Sequence, residues 1–155
     1  MADVKPPQFN SDERATLTGL LQFQRDSIVR KSSGLDESQV RRSVVPSQTT
    51  LLWLVRHLAR AEWTWVLSRF AGIDGEFVEP TIDADTMSEA IDRYVETSSR
   101  VNGVVAAAPL DECCATPEYH NLPLRWVLAH LLEETSRHAG HADIIRELLD
   151  GSTGR

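Results

Sequence analysis

The sequence predicts an all-α protein built as one four-helix bundle. Two observations carry that prediction. Four segments of about 22–28 residues place apolar side chains at helical spacing, and no segment alternates as a strand does. The glycines and prolines cluster at the ends of those segments, where helices stop and start. The chain has 155 residues, a common size for a single domain able to bury its own core. Residues 1–10, with Pro6 and Pro7, read as a flexible lead-in, residues 11–151 as the bundle and residues 152–155 as a tail.

The first helix is expected from about Ser11 to Ser33, with Leu17, Leu20, Leu21, Phe23, Ile28 and Val29 at helical spacing. Ser11 is the expected N-cap, Asp12 and Glu13 suit the positive end of the helix dipole, and Gly34 is a good stop. Residues 34–48 form a connector in which DESQVRR is expected to make a short helical turn, and Pro46 favours extended backbone at Val45. The second helix is expected over 49–70, capped by Thr49 or Ser47 and closed by Gly72. Its large apolar side chains point nearly all round, which predicts burial on several sides. A loop over 71–85 leads to a third helix over 86–108, where Thr86 and Glu89 have the spacing of a capping box. Residues 109–122 read as irregular. The fourth helix is expected from Pro123, as a first-turn residue, to Asp150, with Gly151 as its stop.

Charge removes several function classes. With 16 Lys+Arg against 23 Asp+Glu the net charge is −7, so the field repels phosphate backbones and anionic membrane surfaces. The opening MADVKPPQFNSDER has no apolar core of a signal peptide, and no run of about 18 apolar residues is present, so a cytoplasmic protein is expected. Cys113 and Cys114 are adjacent, which ordinary disulfide geometry disfavours, so two reduced thiols are expected. Trp53, Trp63 and Trp65 cannot all point into one bundle seam. One of them is left for a pocket wall or a dimer face, and a homodimer is the expected assembly.

Chemistry concentrates on the fourth helix. His130, Glu134, His138 and His141 are spaced by four, four and three residues. At about 100° per residue they fall within roughly 80° of arc, on the line of Val127 and Ile145. The stripe thus replaces part of an apolar, core-facing seam with groups that are costly to bury alone. Side chains at i and i+4 can reach one metal ion, as in helical zinc motifs. A third ligand must come from another helix, and His57 is the sole histidine of the second. Two ligands from one helix and one from another leave coordination positions open, which is the catalytic rather than the structural type of site. The pattern alone leaves three readings open: a metal site, a buried polar network, or a solvated face. His120, in PEYHNLP, reads as a surface loop residue.

Two strings carry a resemblance. LLWLVRHLARAEWTW and LRWVLAHLLEETSRHAGHADIIRELLDG, together with the opening SDERATLTGLLQFQRDSIVRKSSGL, resemble the DinB/YfiT-like superfamily in its mycothiol-dependent transferase branch. The resemblance implies an up-down-down-up bundle with a divalent metal held by His57, Glu134 and His138. His141 would be an outer partner or a fourth ligand, and His130 a further outer partner. Many members carry His where this chain has Glu134; relatives resembling the maleylpyruvate isomerase N-terminal domain use Glu there. The resemblance implies zinc first, with nickel, manganese or iron as alternatives, since a carboxylate makes the site harder. It also implies transfer of a low-molecular-weight thiol such as mycothiol to an electrophilic small molecule. A metal-dependent hydrolase and a non-catalytic metal-binding stress protein are the competing functions. Arg56, Arg60 and Arg137 are the candidates to orient an anionic substrate.

Overall fold

The computed structural model describes residues 5–8 and 12–154. Its helices are α1 (Glu13–Ser32), a short α2 (Glu37–Arg41), α3 (Leu51–Glu62), α4 (Met87–Ala107) and α5 (Leu124–Asp150). Among the described residues there is no strand beyond a single bridge pairing Cys113 with Pro123.

Caps account for the boundaries. Asp12 accepts from the Ala15 N–H and starts α1; Ser11, the expected cap, lies outside the described residues. The predicted capping box at α4 forms, and α2 carries a second one that was not expected. Asp36 pairs with Gln39, and Thr86 with Glu89. Two boundaries differ from expectation. Thr50, not Thr49 or Ser47, caps α3, because the Ser47 and Thr49 hydroxyls bond each other at 2.9 Å. Pro123 is itself the residue before α5, in extended backbone, and not a first-turn residue. Gly34 and Gly151 stop α1 and α5 with φ of 75° and 76°, a left-handed conformation that costs glycine little.

The second helix departs further. After Glu62 the backbone widens into a π-helical segment, Trp63–Phe70. No glycine or proline marks the change, so no local signal announces it. Gly72 then turns the chain at φ 65°, where a Cβ would meet that of Ala115 at 3.1 Å. The stretch 109–122 is irregular as expected apart from one 3₁₀ turn, Pro117–Tyr119.

Side-chain pairings give the topology. Arg14 reaches the carbonyls of Val105 and Ala108, so α1 runs against α4. Glu13 meets Arg125 and Lys31 meets Asp143, so α1 runs with α5. His57 meets Glu134 while Trp65 meets Trp126, so α3 runs against α5. The order is therefore up, down, down, up.

The core falls into two apolar clusters. One gathers Ile28, Leu52, Val55, Leu58, Tyr94, Ala142 and Ile145. The other gathers Leu21, Leu67, Phe70, Val101, Leu124 and Leu128. A buried ion pair joins the helices between them: Arg25 Nε and Nη2 each donate to a different oxygen of Glu62 at 2.7 Å. Arg25 Nη1 also donates to Asn102 at 2.8 Å. Burial holds the Glu62 carboxyl above its ordinary range, against the opposing charge and hydrogen bonds of Arg25.

Candidate metal centre

The stripe on α5 faces α3 where both helices belong to the first apolar cluster. Leu54, Val55 and Leu58 drive that side of α3 inward, which leaves His57 at the seam with α5. Glu134 and His138 occupy successive turns opposite it. Their donor atoms lie within 4.8 Å of one another. His57 Nε2 is 2.9 Å from Glu134 Oε1, and His138 Nε2 is 3.2 Å from the same oxygen. The site is accessible on the α3 side: His57 exposes 33% of its side chain, against 11% for His138.

This arrangement fits a divalent ion. Ligand bonds of about 2.1 Å in tetrahedral or octahedral geometry separate neighbouring donors by roughly 3.0–3.4 Å. Two imidazole nitrogens already converge on one carboxylate oxygen at such distances. The donors are nitrogen and hard oxygen, a set that suits several first-row divalent ions.

Neighbouring groups orient the donors. The Trp53 ring stacks on His57 at 4.8 Å with 8° between planes, an i, i+4 contact within α3. His57 and His138 meet edge to face. His141 Nδ1 lies 3.2 Å from His138 Nδ1. With Nε2 directed at Glu134, His138 can donate its Nδ1–H to His141, the usual way a ligating imidazole is held in one tautomer. Arg137 Nη1 is 3.7 Å from the second Glu134 oxygen.

His130 does not join the cluster, although its angular position on α5 is close to that of Glu134. Eight residues separate it from His138, a rise of about 12 Å, and it lies among aromatics. It stacks on Trp126 and meets Trp65 edge to face. Replacing His130 by alanine should therefore leave the metal content of the purified protein unchanged. His120 is exposed on its loop, as expected.

The expected anion-orienting arginines are already engaged. Arg56 pairs with Asp85 and Glu79, and Arg60 pairs with Glu79. Their partners come from the 71–85 loop, far along the sequence, so local patterns could not reveal them. The Trp53–His57 stack follows from the WLVRH spacing, which places the two rings one helical turn apart. Trp53, Arg56, His57, Arg60, Glu79 and Ile82 line a charged cavity of about 190 Å³ beside the site.

The protonation equilibria suit metal binding. Burial pushes Glu134 up, but hydrogen bonds and charge from His57 and His138 outweigh it and hold its pKa below 4.5. Burial pushes His138 below 6.5, with Glu134 opposing. Both groups bind fewer protons in the folded chain than in the unfolded one. Stability of the metal-free protein is therefore complete above the ordinary His138 pKa and falls as pH drops through it and then through the Glu134 range. Thermal unfolding of chelator-treated protein from about pH 8 to pH 4 should show that decline. The step below pH 6.5 should flatten in His138→Gln.

Cys113 and Cys114 are free, the first exposed and the second buried, and burial raises the Cys114 thiol. No helix among the described residues is long and apolar enough to cross a membrane.

Among solved structures, the chain is similar to a crystal structure described as the conserved protein of locus from Enterococcus faecalis. The TM-score is 0.66 at 12% identity, over 92% of this chain and 100% of that one, which speaks for the fold alone. No curated protein matches the sequence. The family model described as mycothiol-S-transferase matches residues 16–151, which include His57, Glu134 and His138. The chain belongs to the mycothiol S-transferase family.

Proposed function

We propose that this protein is a metal-dependent enzyme that transfers a polar low-molecular-weight thiol, mycothiol or a close analogue, to an electrophilic small molecule. The observation that supports this reading is the convergence of His57, Glu134 and His138 in a chain of the mycothiol S-transferase family. These three residues would hold the ion, with zinc the first choice and nickel, manganese or iron the alternatives. A bound divalent ion supplies Lewis acidity, which lowers the pKa of a thiol and favours the nucleophilic thiolate.

The chain's own residues do the positioning. Glu134 brings a carboxylate that stays ionised at neutral pH. Trp53 fixes the orientation of the His57 ring by stacking on it. Arg137 lies at the rim, 55% exposed, with Nη2 paired to Glu133 and Nη1 3.7 Å from Glu134, so, like Arg56 and Arg60, it would meet an anionic substrate by exchanging a carboxylate partner. The transfer is a displacement. The thiol loses its proton, its sulfur forms the new C–S bond, and the leaving group departs with the electrons of the bond it breaks. Free Cys113 and Cys114 fit a reducing cytoplasm.

The test is an assay of the purified, metal-loaded protein with a generic electrophile, with and without mycothiol. Turnover that requires both metal and thiol is expected. Thiol-independent hydrolysis would move the protein to the hydrolases, and metal binding without turnover would leave a binding role.

A further inference from the structure

We infer that the electrophile is held by an apolar arm, the size of a benzene ring or a short alkyl chain, in a second cavity beside the metal centre. The inference rests on the transferase reading above and assigns the substrate class of that site. The cavity, of about 130 Å³, lies between the α2–α3 connector and the second half of α5. It is lined by Val45, Ser47, Thr49, His141, Ile144 and Ile145.

Its chemistry is apolar. Val45, Ile144 and Ile145 supply hydrocarbon walls. The two hydroxyls at its edge, of Ser47 and Thr49, bond each other and so make a weak demand for a polar ligand. An apolar cavity of about 150 Å³ takes benzene, which sets the size of group that fits. Ile144 is 55% exposed, and one face of it lines this cavity.

Its position ties it to the reaction. His141 is part of its wall, and His141 Nδ1 is 3.2 Å from His138 Nδ1. The charged cavity reaches the same site through His57. The charged cavity touches a ligand directly, through His57, while the apolar one lies one residue further out, behind His141, and the two differ in polarity. Such a pair sorts two substrates, with the polar thiol toward Arg56, Arg60 and Glu79 and the apolar electrophile toward Ile144.

The connector makes a tight turn beside the cavity. Gln48, between the two hydroxyl residues, has φ 62°, a left-handed conformation that non-glycine residues seldom adopt. Its N–H donates to the Val45 carbonyl at 3.1 Å, closing the turn. Strain of this kind persists where the surroundings require one shape, often beside ligand sites.

The experiment uses the metal-loaded protein and toluene, an unreactive probe, followed by methyl NMR. Saturable shifts are expected at the Ile144, Ile145 and Val45 methyls, while the Ile82 methyl in the charged cavity stays fixed. Ile144→Asp should weaken toluene binding about tenfold or more, the scale of a lost apolar contact in a pocket. Its metal content should match the wild type. Absence of saturable shifts at the three methyls would overturn the inference, as would unchanged affinity in Ile144→Asp. In thiol assays the same variant should raise KM for a butyl electrophile about tenfold and leave KM for the thiol unchanged. Toluene binding without thiol-dependent turnover would sink the transferase reading and leave the cavity standing, so the two failures are distinguishable.

Discussion

Replacing His57 by alanine is expected to strip the protein of its divalent metal. Glu134 and His138 come from one helix and cannot by themselves close a three-ligand site; the third donor comes from α3. Structural zinc sites bind with apparent free energies on the order of 12 kcal/mol; shared among their four ligands, that makes one donor worth roughly 3 kcal/mol, or somewhat over a hundredfold in affinity. Metal analysis after dialysis against a weak chelator reads the loss directly. His57 exposes a third of its side chain, and the core side of α3 is carried by Leu54, Val55 and Leu58. The variant should therefore unfold at the same temperature as chelator-treated wild type. Near-stoichiometric metal in His57→Ala would mean that another group, His141 first, supplies the third donor. Glu134→His is the informative companion. It keeps a donor at the shared position, so metal should stay bound, with preference shifted toward softer ions.

The bundle was legible because its signals are local. Thr86 with Glu89 three residues on, and Gly34 and Gly151 just past helix ends, act within one or two turns and need no tertiary context. The α5 stripe was legible for the same reason, since a rotation of about 100° per residue fixes which side chains share a face. Rotation alone could not separate His130 from His138; the axial rise does that, together with Trp65 and Trp126, which claim the His130 ring. Selection of His57 needed the resemblance, because nothing local says that α3 lies against α5. The π segment and the pairing of Arg56 and Arg60 were hidden more deeply. The arginines depend on partners distant in sequence, Glu79 and Asp85 across from α3, and the π segment carries no local sign at all. Charged residues on an apolar helix look solvent-bound until such partners are known.

Glu62→Ala is expected to cost about 3–5 kcal/mol of folding stability, measured by urea unfolding with metal held at saturation. The penalty is large because the substitution leaves Arg25, 3% exposed, as an unpaired buried charge. Asn102 accepts one hydrogen bond from its guanidinium, but among the described residues no second carboxylate pairs with Arg25. The paired variant Arg25→Met/Glu62→Leu should recover most of the loss, since two apolar side chains of similar volume remove both charges together. Gln22 and Asn102, the other groups bonded to Arg25, are exposed and can turn to water. If the double variant is as unstable as Glu62→Ala, the pair is a net source of stability rather than a device that fixes how α3 meets α1 and α4. The position of the pair favours the second role, because Glu62 is the last residue before the backbone widens at Trp63. His57 lies five residues earlier, about 7.5 Å along α3, packed with the other apolar cluster. The double variant should therefore still retain a full complement of metal, and the two halves of α3 would then be separable by mutation.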